Sequence, residues 1–114
     1  MLNVYTSNIS YSGEYRLDIS VKSCTDDGSI FIPTWKMVTE YKAGNITQAE
    51  YTDQYYNLMR NSYNRYKQQW DHLLCQDKVV LVCYCKSYEF CHRRLLAAIL
   101  IKLGATYKGE INYF

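Results

Sequence analysis

The chain has little proline, little glycine and little net charge, and each shortage excludes a class of protein. One proline and five glycines in 114 residues exclude collagen-like and Pro/Gly-rich disordered chains. Thirteen basic and eleven acidic side chains leave a net charge of +2, which argues against the long basic track of a duplex nucleic-acid binder. The longest apolar run, residues 95–101, is far too short to span a membrane. We expect a single domain over residues 1–114.

Cysteine is the residue type that bears on compartment. Its five copies form an odd set that cannot pair completely within the chain: Cys24, Cys75, Cys83, Cys85 and Cys91. The first residues lack the basic and apolar regions of a secretory signal peptide. We therefore expect a cytoplasmic protein whose cysteines are thiols, with Cys75 and Cys83 as small buried side chains.

Three segments have the patterns of β-strands. Residues 2–5 predict a short first strand, and residues 16–22 alternate polar and apolar side chains as a half-buried strand does. Residues 79–85 form a continuous apolar, β-branched run. Such a run is typical of a central strand in a parallel sheet, which is covered on both faces.

The middle of the chain predicts a long amphipathic helix. Thr47 and Glu50 have the spacing of a capping box, and the apolar residues that follow recur about every 3.6 positions. We expect a break near Asn61 and Ser62. For the aromatic stripe of this helix we expect packing against the core, with a homo-oligomer interface as the alternative: Tyr51, Tyr55, Tyr66 and Trp70.

The remaining segments complete an α/β pattern. Residues 94–103 predict a second helix with Gly104 as its C-terminal cap, and residues 105–113 supply a last, edge strand. Residues 30–42 have no clear pattern, although Pro33 can open a short helix that carries Trp35. We predict a small three-layer α/β domain with a mainly parallel sheet and a Rossmann-like βαβ unit near its C-terminal end. Ligands of such folds bind at the carboxyl ends of the strands.

One segment, residues 83–94, carries the chemistry. It leaves the buried strand, turns, and enters a helix whose first turn holds Cys91, His92 and Arg93. A helix N-terminus attracts anions, and arginine binds phosphate or carboxylate with two parallel hydrogen bonds. Lys86 and Arg93 would hold an anion, and Ser87 and His92 would orient it. The segment therefore predicts a site for a small anionic ligand.

The same residues carry a family resemblance. Leu81-x-Cys83-x-Cys85-Lys86 followed by Cys91-His92-Arg93 resembles the family catalogued as domain of unknown function 488. The polar residues after the first strand (Tyr5-Thr6-Ser7-Asn8), Asp18 on the second strand and the Phe31-x-Pro33 element are similar to that family as well. Ser20 replaces a cation that the family usually has after Asp18. The family has no settled activity, and the small size resembles its phage-encoded members.

Aromatic rings near the strand ends extend the candidate site. Tyr5, Tyr84 and Tyr88 could stack on a nucleobase, and Trp35 with Lys36 could close the site from the other side. Asp18 has two readings that the sequence does not separate. It accepts hydrogen bonds from a ribose, or it pairs with Arg16 or Lys22 on its own strand.

The cysteines suggest two further chemistries, and the sequence disfavours both. Cys83, Cys85, Cys91 and His92 offer four soft metal ligands, but their spacing matches no standard zinc ribbon, and neighbours at a helix start are expected to diverge. We predict no metal and no cofactor. Catalysis by Cys91 with His92 as its base is disfavoured because adjacency in sequence is no evidence of a catalytic pair.

Two functions from different classes remain. The first is a binding protein for a nucleotide-like or other phosphorylated small molecule; if the chain is phage-encoded, it would act in the host cytosol and sequester a nucleotide immune signal. The second is an enzyme that cleaves an N-glycosidic or phosphoester bond in a nucleotide or a nucleic-acid base through Cys91 or His92. Neither involves duplex nucleic acid or a membrane.

Overall fold

A parallel sheet of four strands forms the centre of the fold. The computed structural model describes residues 1–85 and 90–111. The strands lie in the order β2-β3-β1-β4, with these bounds: β1 Asn3–Asn8, β2 Arg16–Asp18, β3 Lys78–Cys83 and β4 Thr106–Ile111. The helices are α1 Trp35–Lys42, α2 Gln48–Arg65, α3 Lys67–Leu74 and α4 His92–Lys102. The expected α/β class and parallel sheet are confirmed.

The buried apolar run forms strand β3, as predicted. It pairs with β1 on one side and β2 on the other, and five of its six residues are buried. Val79 and Leu81 face the helices and join one core with Val4 of β1 and with Leu2, which precedes that strand. Helix α4 supplies further core residues, Leu96, Ala97 and Leu100. This packing fixes the start of α4 beside the carboxyl end of β3.

Side chains on the opposite face of the sheet are buried as well. Val80 and Val82 point to that face and are fully buried. The connection between β1 and β2 is tied to the start of β2, because the Arg16 guanidinium donates hydrogen bonds to the carbonyls of Ile9 and Tyr11.

The two amino-terminal strands differ in length from their predictions. Strand β1 continues to Asn8, so Thr6, Ser7 and Asn8 lie in the strand and not in a turn. Strand β2 ends at Asp18, whereas the alternating pattern predicted residues 16–22. The carboxylate of Asp18 accepts hydrogen bonds from Ser20 and folds the chain into a turn, which stops the strand.

The long middle helix begins where it was predicted. Thr47 and Glu50 form both hydrogen bonds of the capping box. The break lies at Tyr66, four residues later than predicted. Ser62 stays helical because its hydroxyl donates to the Ile30 carbonyl and accepts from the Trp70 indole, so the chain turns only after this polar contact is made.

The aromatic stripe of α2 and α3 packs inward, as expected. Tyr55 and Trp70 are fully buried, and the Tyr55 hydroxyl donates to the Phe31 carbonyl at 2.8 Å. The core therefore occupies the face of α2 that would otherwise suit an oligomer interface. No helix in the described residues is long and apolar enough to cross a membrane.

Two of the predictions concern residues at the ends of helices α3 and α4. Cys83 is buried as predicted, but Cys75 is exposed, because it caps the end of α3 beyond the last core residue, Leu73. The predicted cap Gly104 has a φ of +108°, a conformation that glycine adopts without strain. It lets the chain leave α4 and enter β4 at Thr106.

We expect Gly28→Ala to destabilise the fold. A Cβ atom at Gly28 would collide with the backbone carbonyl of Asp18, which the sheet and the turn hold in place. Urea denaturation should show a loss of about 1 to 3 kcal/mol. Gly13→Ala is the matched control: the atoms nearest to its Cβ belong to the end of the Tyr11 side chain, which can move aside as a backbone carbonyl cannot, so its effect should stay within about 0.5 kcal/mol. Equal stability of the two variants would contradict this prediction.

Candidate functional site

A cleft opens where β3 ends and α4 begins. Cys83 ends the strand, and Cys91 is the residue that caps the helix, with an extended backbone. The cleft has a volume of about 120 Å³. Five of the predicted site residues line it: Trp35, Tyr84, Cys85, Cys91 and His92. The expected location at the carboxyl end of a parallel strand thus coincides with the cleft.

Aromatic rings form one wall of the cleft. Tyr41, Tyr51 and Phe90 contact one another in a triangle, with ring centroids 5.4 to 5.5 Å apart. Burial raises the pKa of the Tyr51 phenol well above its usual value, so the ring is neutral. Tyr84 stands near the second strand, where its hydroxyl donates to Ser23. Trp35 lines the cleft from α1 and is 52% exposed.

Two lysines add positive charge to the cleft. Lys42 lines it from the end of α1, and Lys22 lines it from the turn after β2. The Lys22 ammonium lies 5.6 Å from the centroid of the Tyr84 ring. Positive charge and a flat ring therefore meet at one side of the cleft.

Arg93, the predicted anion ligand, is turned into the protein. Its exposed fraction is 0%, and its guanidinium donates to the Glu110 carboxylate at 2.7 Å. It also donates to the Cys85 carbonyl at 2.8 Å and to the Cys83 sulfur at 3.0 Å. Arg93 thus joins the start of α4 to the ends of β3 and β4.

The Glu110 carboxylate neutralises positive charge at the start of α4. Its carboxylate accepts hydrogen bonds from Arg93 and from the Thr6 hydroxyl, and it lies 3.9 Å from Arg94. Burial alone would raise the pKa of Glu110. The hydrogen bonds from Arg93 and Thr6 and the charges of both arginines outweigh burial, so the pKa lies below its usual value.

His92 and Cys91 are closer than their adjacency in sequence led us to expect. The His92 Nε2 atom lies 2.7 Å from the Ile19 carbonyl, which can only accept, so Nε2 carries the proton. Nδ1 is then the acceptor, and it lies 3.6 Å from Cys91 Sγ. Burial, and after it the charge of Arg93, lower the pKa of His92 to about 4 despite the hydrogen bond with the Ile19 carbonyl, which raises it. The imidazole is therefore neutral at neutral pH.

Three sulfur atoms converge beside this histidine. The Sγ atoms of Cys83, Cys85 and Cys91 all lie within 4.8 Å of one another. Those of Cys83 and Cys91 form a disulfide, so the expectation that every cysteine is a thiol is wrong for this pair. Their Cα atoms are 7.9 Å apart, whereas most disulfides span about 4.4 to 6.8 Å. The expectation that the neighbours Cys91 and His92 diverge is wrong, because Cys91 is extended and not helical, and its Sγ atom lies 3.6 Å from His92 Nδ1.

The polar residues at the end of β1 bind other parts of the sheet and do not line the cleft. Thr6 contacts the Tyr107 hydroxyl and Glu110, and Ser7 donates to the Ile111 carbonyl at 2.6 Å. The Asn8 side chain donates to the Cys85 carbonyl at 3.0 Å. These contacts hold the strand ends in register beside the cleft. The Tyr5 ring does not line the cleft either; its centroid lies 4.7 Å from the Lys78 ammonium.

Asp18 has a local structural role in this structure. Its buried carboxylate accepts hydrogen bonds from the backbone and hydroxyl of Ser20 and from the Ser23 hydroxyl. Burial alone would raise the pKa of Asp18, but the bonds from Ser23 and Ser20 hold it below its usual value. Arg16 donates to loop carbonyls instead of pairing with Asp18. A ligand contact for Asp18 stays a prediction.

Of the other predicted ligand contacts, one lies outside the cleft and three are not described by the structure. Lys36 lies on α1 and does not line the cleft, while Lys42 on the same helix does. Lys86, Ser87 and Tyr88 lie outside the described residues.

Sequence reasoning missed several residues of the site. Val38, Tyr41 and Lys42 lie with the predicted Trp35 on one face of α1, and their spacing would have identified that face had residues 35–42 been assigned to a helix. Glu110 carried no such signal, because nothing local connects it with a helix start 17 residues earlier in the chain.

A protein-family model matches more than half of the chain. The family described as the active DUF488-N3 subclade, DUF488-N3a, matches residues 31–104. This range includes the cysteine-rich segment and the Phe31-x-Pro33 element, and it excludes β1 and Asp18. Searches of curated proteins and of solved structures found no significant match.

We expect Glu110→Gln to destabilise the protein at neutral pH by about 3 kcal/mol, because the variant leaves the Arg93 charge buried without its counterion. The folded-state pKa of Glu110 is lowered, so its contribution is present above about pH 4.3 and is lost as the pH falls through the folded value. Urea denaturation at pH 7 and at successively lower pH should show the two proteins converging.

Glu14→Gln, at an exposed position, is the control and should change stability by less than about 0.5 kcal/mol at every pH. A Glu110→Gln variant as stable as the wild type at pH 7 would contradict the assigned role of the ion pair.

Proposed function

The chain belongs to the DUF488 family, and within that family we propose that it binds a small nucleotide-like ligand, one that combines a flat ring with an anionic group. The observation that carries the proposal is the cleft itself. Aromatic rings and two lysines surround it at the carboxyl end of β3, beside the start of α4. Clefts at this position of parallel sheets are the usual ligand sites of α/β proteins.

The size and walls of the cleft suit a single ring system. An apolar cavity of ~150 Å³ holds one benzene molecule, and this cleft has a volume of about 120 Å³. Tyr84 and Trp35 are the exposed rings available for stacking. Stacking of a base on an aromatic side chain contributes about 1 to 3 kcal/mol.

The charge of the cleft suits an anion. Lys22 and Lys42 line it, as do Cys91 and His92 at the amino end of α4, where the helix dipole is positive. Arg93 is paired with Glu110, so we assign anion binding to the lysines and the helix start. Arg93 becomes the residue that positions the helix.

We extend the proposal to a role in sequestration. A binding protein that lacks an efficient reaction would lower the free concentration of its ligand. In a phage-encoded protein, such a ligand would be a nucleotide signal of host immunity. The ligands for testing therefore include cyclic nucleotides and ADP-ribose-type molecules as well as ordinary nucleotides.

We expect Lys42→Ala to weaken ligand binding about 5- to 10-fold, because it removes one charge–charge contact of about 1 kcal/mol. The measurement is calorimetric titration of the purified chain with the nucleotide panel. Lys36→Ala is the matched control: it removes the same charge from the same helix, but from a position outside the cleft, and should leave affinity unchanged.

Stacking has its own pair of variants. Trp35→Ala should lose affinity about 5- to 150-fold, and Trp35→Phe should retain most of it because the ring remains. Failure of every ligand in the panel to bind the wild-type chain would remove the proposal. Equal losses in the Lys42 and Lys36 variants would show that the cleft is not the site.

A second candidate function is an enzyme on the same class of ligand. The observation that favours it is the 3.6 Å approach of His92 Nδ1 to Cys91 Sγ, with the tautomer set by the Ile19 carbonyl. Reduction of the Cys83–Cys91 disulfide frees the Cys91 thiol, and the neighbouring imidazole can then activate that thiol as a nucleophile. Incubation with each ligand, followed by denaturation and mass spectrometry, separates the candidates. Intact ligand supports the binding protein, and new products that disappear in Cys91→Ser support the enzyme.

A further inference from the structure

The three converging cysteines form a cluster that ligand binding does not require. Their sulfur atoms lie within 4.8 Å of one another, and the backbones that carry them are the end of β3 and the cap of α4. We propose that Cys83, Cys85 and Cys91 bind one thiophilic metal ion, of which Zn²⁺ is the type, when the protein is reduced.

The spacing of the sulfurs fits a metal better than a disulfide. Zn–S bonds of about 2.3 Å at tetrahedral angles put two sulfurs ~3.8 Å apart, so once the Cys83–Cys91 disulfide is reduced to two thiols, three sulfurs within 4.8 Å need only small side-chain movements to share an ion. The Cα atoms of Cys83 and Cys91 are 7.9 Å apart. Disulfides usually hold their Cα atoms within about 6.8 Å, whereas an ion between two sulfurs bridges a longer distance.

The surroundings of the sulfurs supply what a thiolate–metal site needs. Arg93 donates a hydrogen bond to Cys83 Sγ at 3.0 Å, and its charge offsets the negative charge that three thiolates and one Zn²⁺ leave in excess. Outer hydrogen bonds of this kind orient metal ligands. The Glu110 carboxylate holds Arg93 in place. The hydrogen bond from Arg93 therefore fixes the position of Cys83, one of the proposed metal ligands.

All three cysteines line the ligand cleft, so the fourth coordination position opens on it. Sites with three protein ligands and one open position are typical of metals that bind a substrate or water, in contrast to closed structural sites with four. The inference is independent of the nucleotide proposal: a chain that binds metal but no nucleotide would support it.

The test uses untagged, full-length protein kept reduced and free of oxygen. Titration with Co²⁺ should give one equivalent of binding and the near-ultraviolet thiolate-to-cobalt charge-transfer absorption, and Zn²⁺ should abolish that absorption by displacement. Cys85→Ser should lower metal affinity at least ~100-fold, since even the loss of an outer hydrogen-bond partner costs 10- to 100-fold. Cys75→Ser, at an exposed position outside the cluster, should bind like the wild type.

A second measurement needs no variant and so does not depend on one folding. Zn²⁺ should protect Cys85 from alkylation, read by mass spectrometry of peptides, while Cys75 in the same molecules is alkylated with or without metal. Three outcomes would overturn the proposal. They are no Co²⁺ binding by reduced, folded protein, equal affinity in the Cys85→Ser variant, and equal alkylation of Cys85 with and without Zn²⁺.

Discussion

The buried guanidinium of Arg93 is the group on which the arrangement of the site depends. It lies at the start of α4 with no exposed surface, where a positive charge is unfavourable both for burial and for the helix dipole. Its donors are satisfied by Glu110 of β4, by the Cys85 carbonyl and by the Cys83 sulfur. One side chain therefore fixes the distances between a helix and two strands, and the cleft lies between the parts it connects.

The class of the fold could be predicted because its main signals are local. The continuous apolar run of β3 requires cover on both faces, and the capping box of α2 needs only residues 47 and 50. The place of the site followed from the same reasoning, since a strand end and a helix start brought Cys85, Cys91 and His92 to one cleft. Local patterns of this kind restrict the possible structures enough for a strand or a helix to be predicted from the sequence alone.

The role of individual side chains depended on partners far away in sequence. A cation in the first turn of a helix indicates an anion nearby, and for Arg93 we expected that anion to be a ligand. The anion is Glu110 of the same chain, and no local pattern distinguishes an internal carboxylate from a ligand. For Asp18 the partners are close in sequence, since its carboxylate accepts hydrogen bonds from Ser20 and Ser23. The prediction still failed there, because the alternating apolar residues after Asp18 suggested a longer strand.

The position of β1 in the sheet has a consequence for the order in which the chain can assemble. Its partners begin at Lys78 and Thr106, so the strand made first during synthesis stays unpaired until the ribosome has produced most of the molecule. Arg93 likewise has to be made before Glu110. Contacts of such long range slow folding, and a helix with an unneutralised arginine has little reason to dock early. Among the described strands β4 is the last to be made, so the ion pair that holds the start of α4 closes only after the residues that line the cleft have been synthesised.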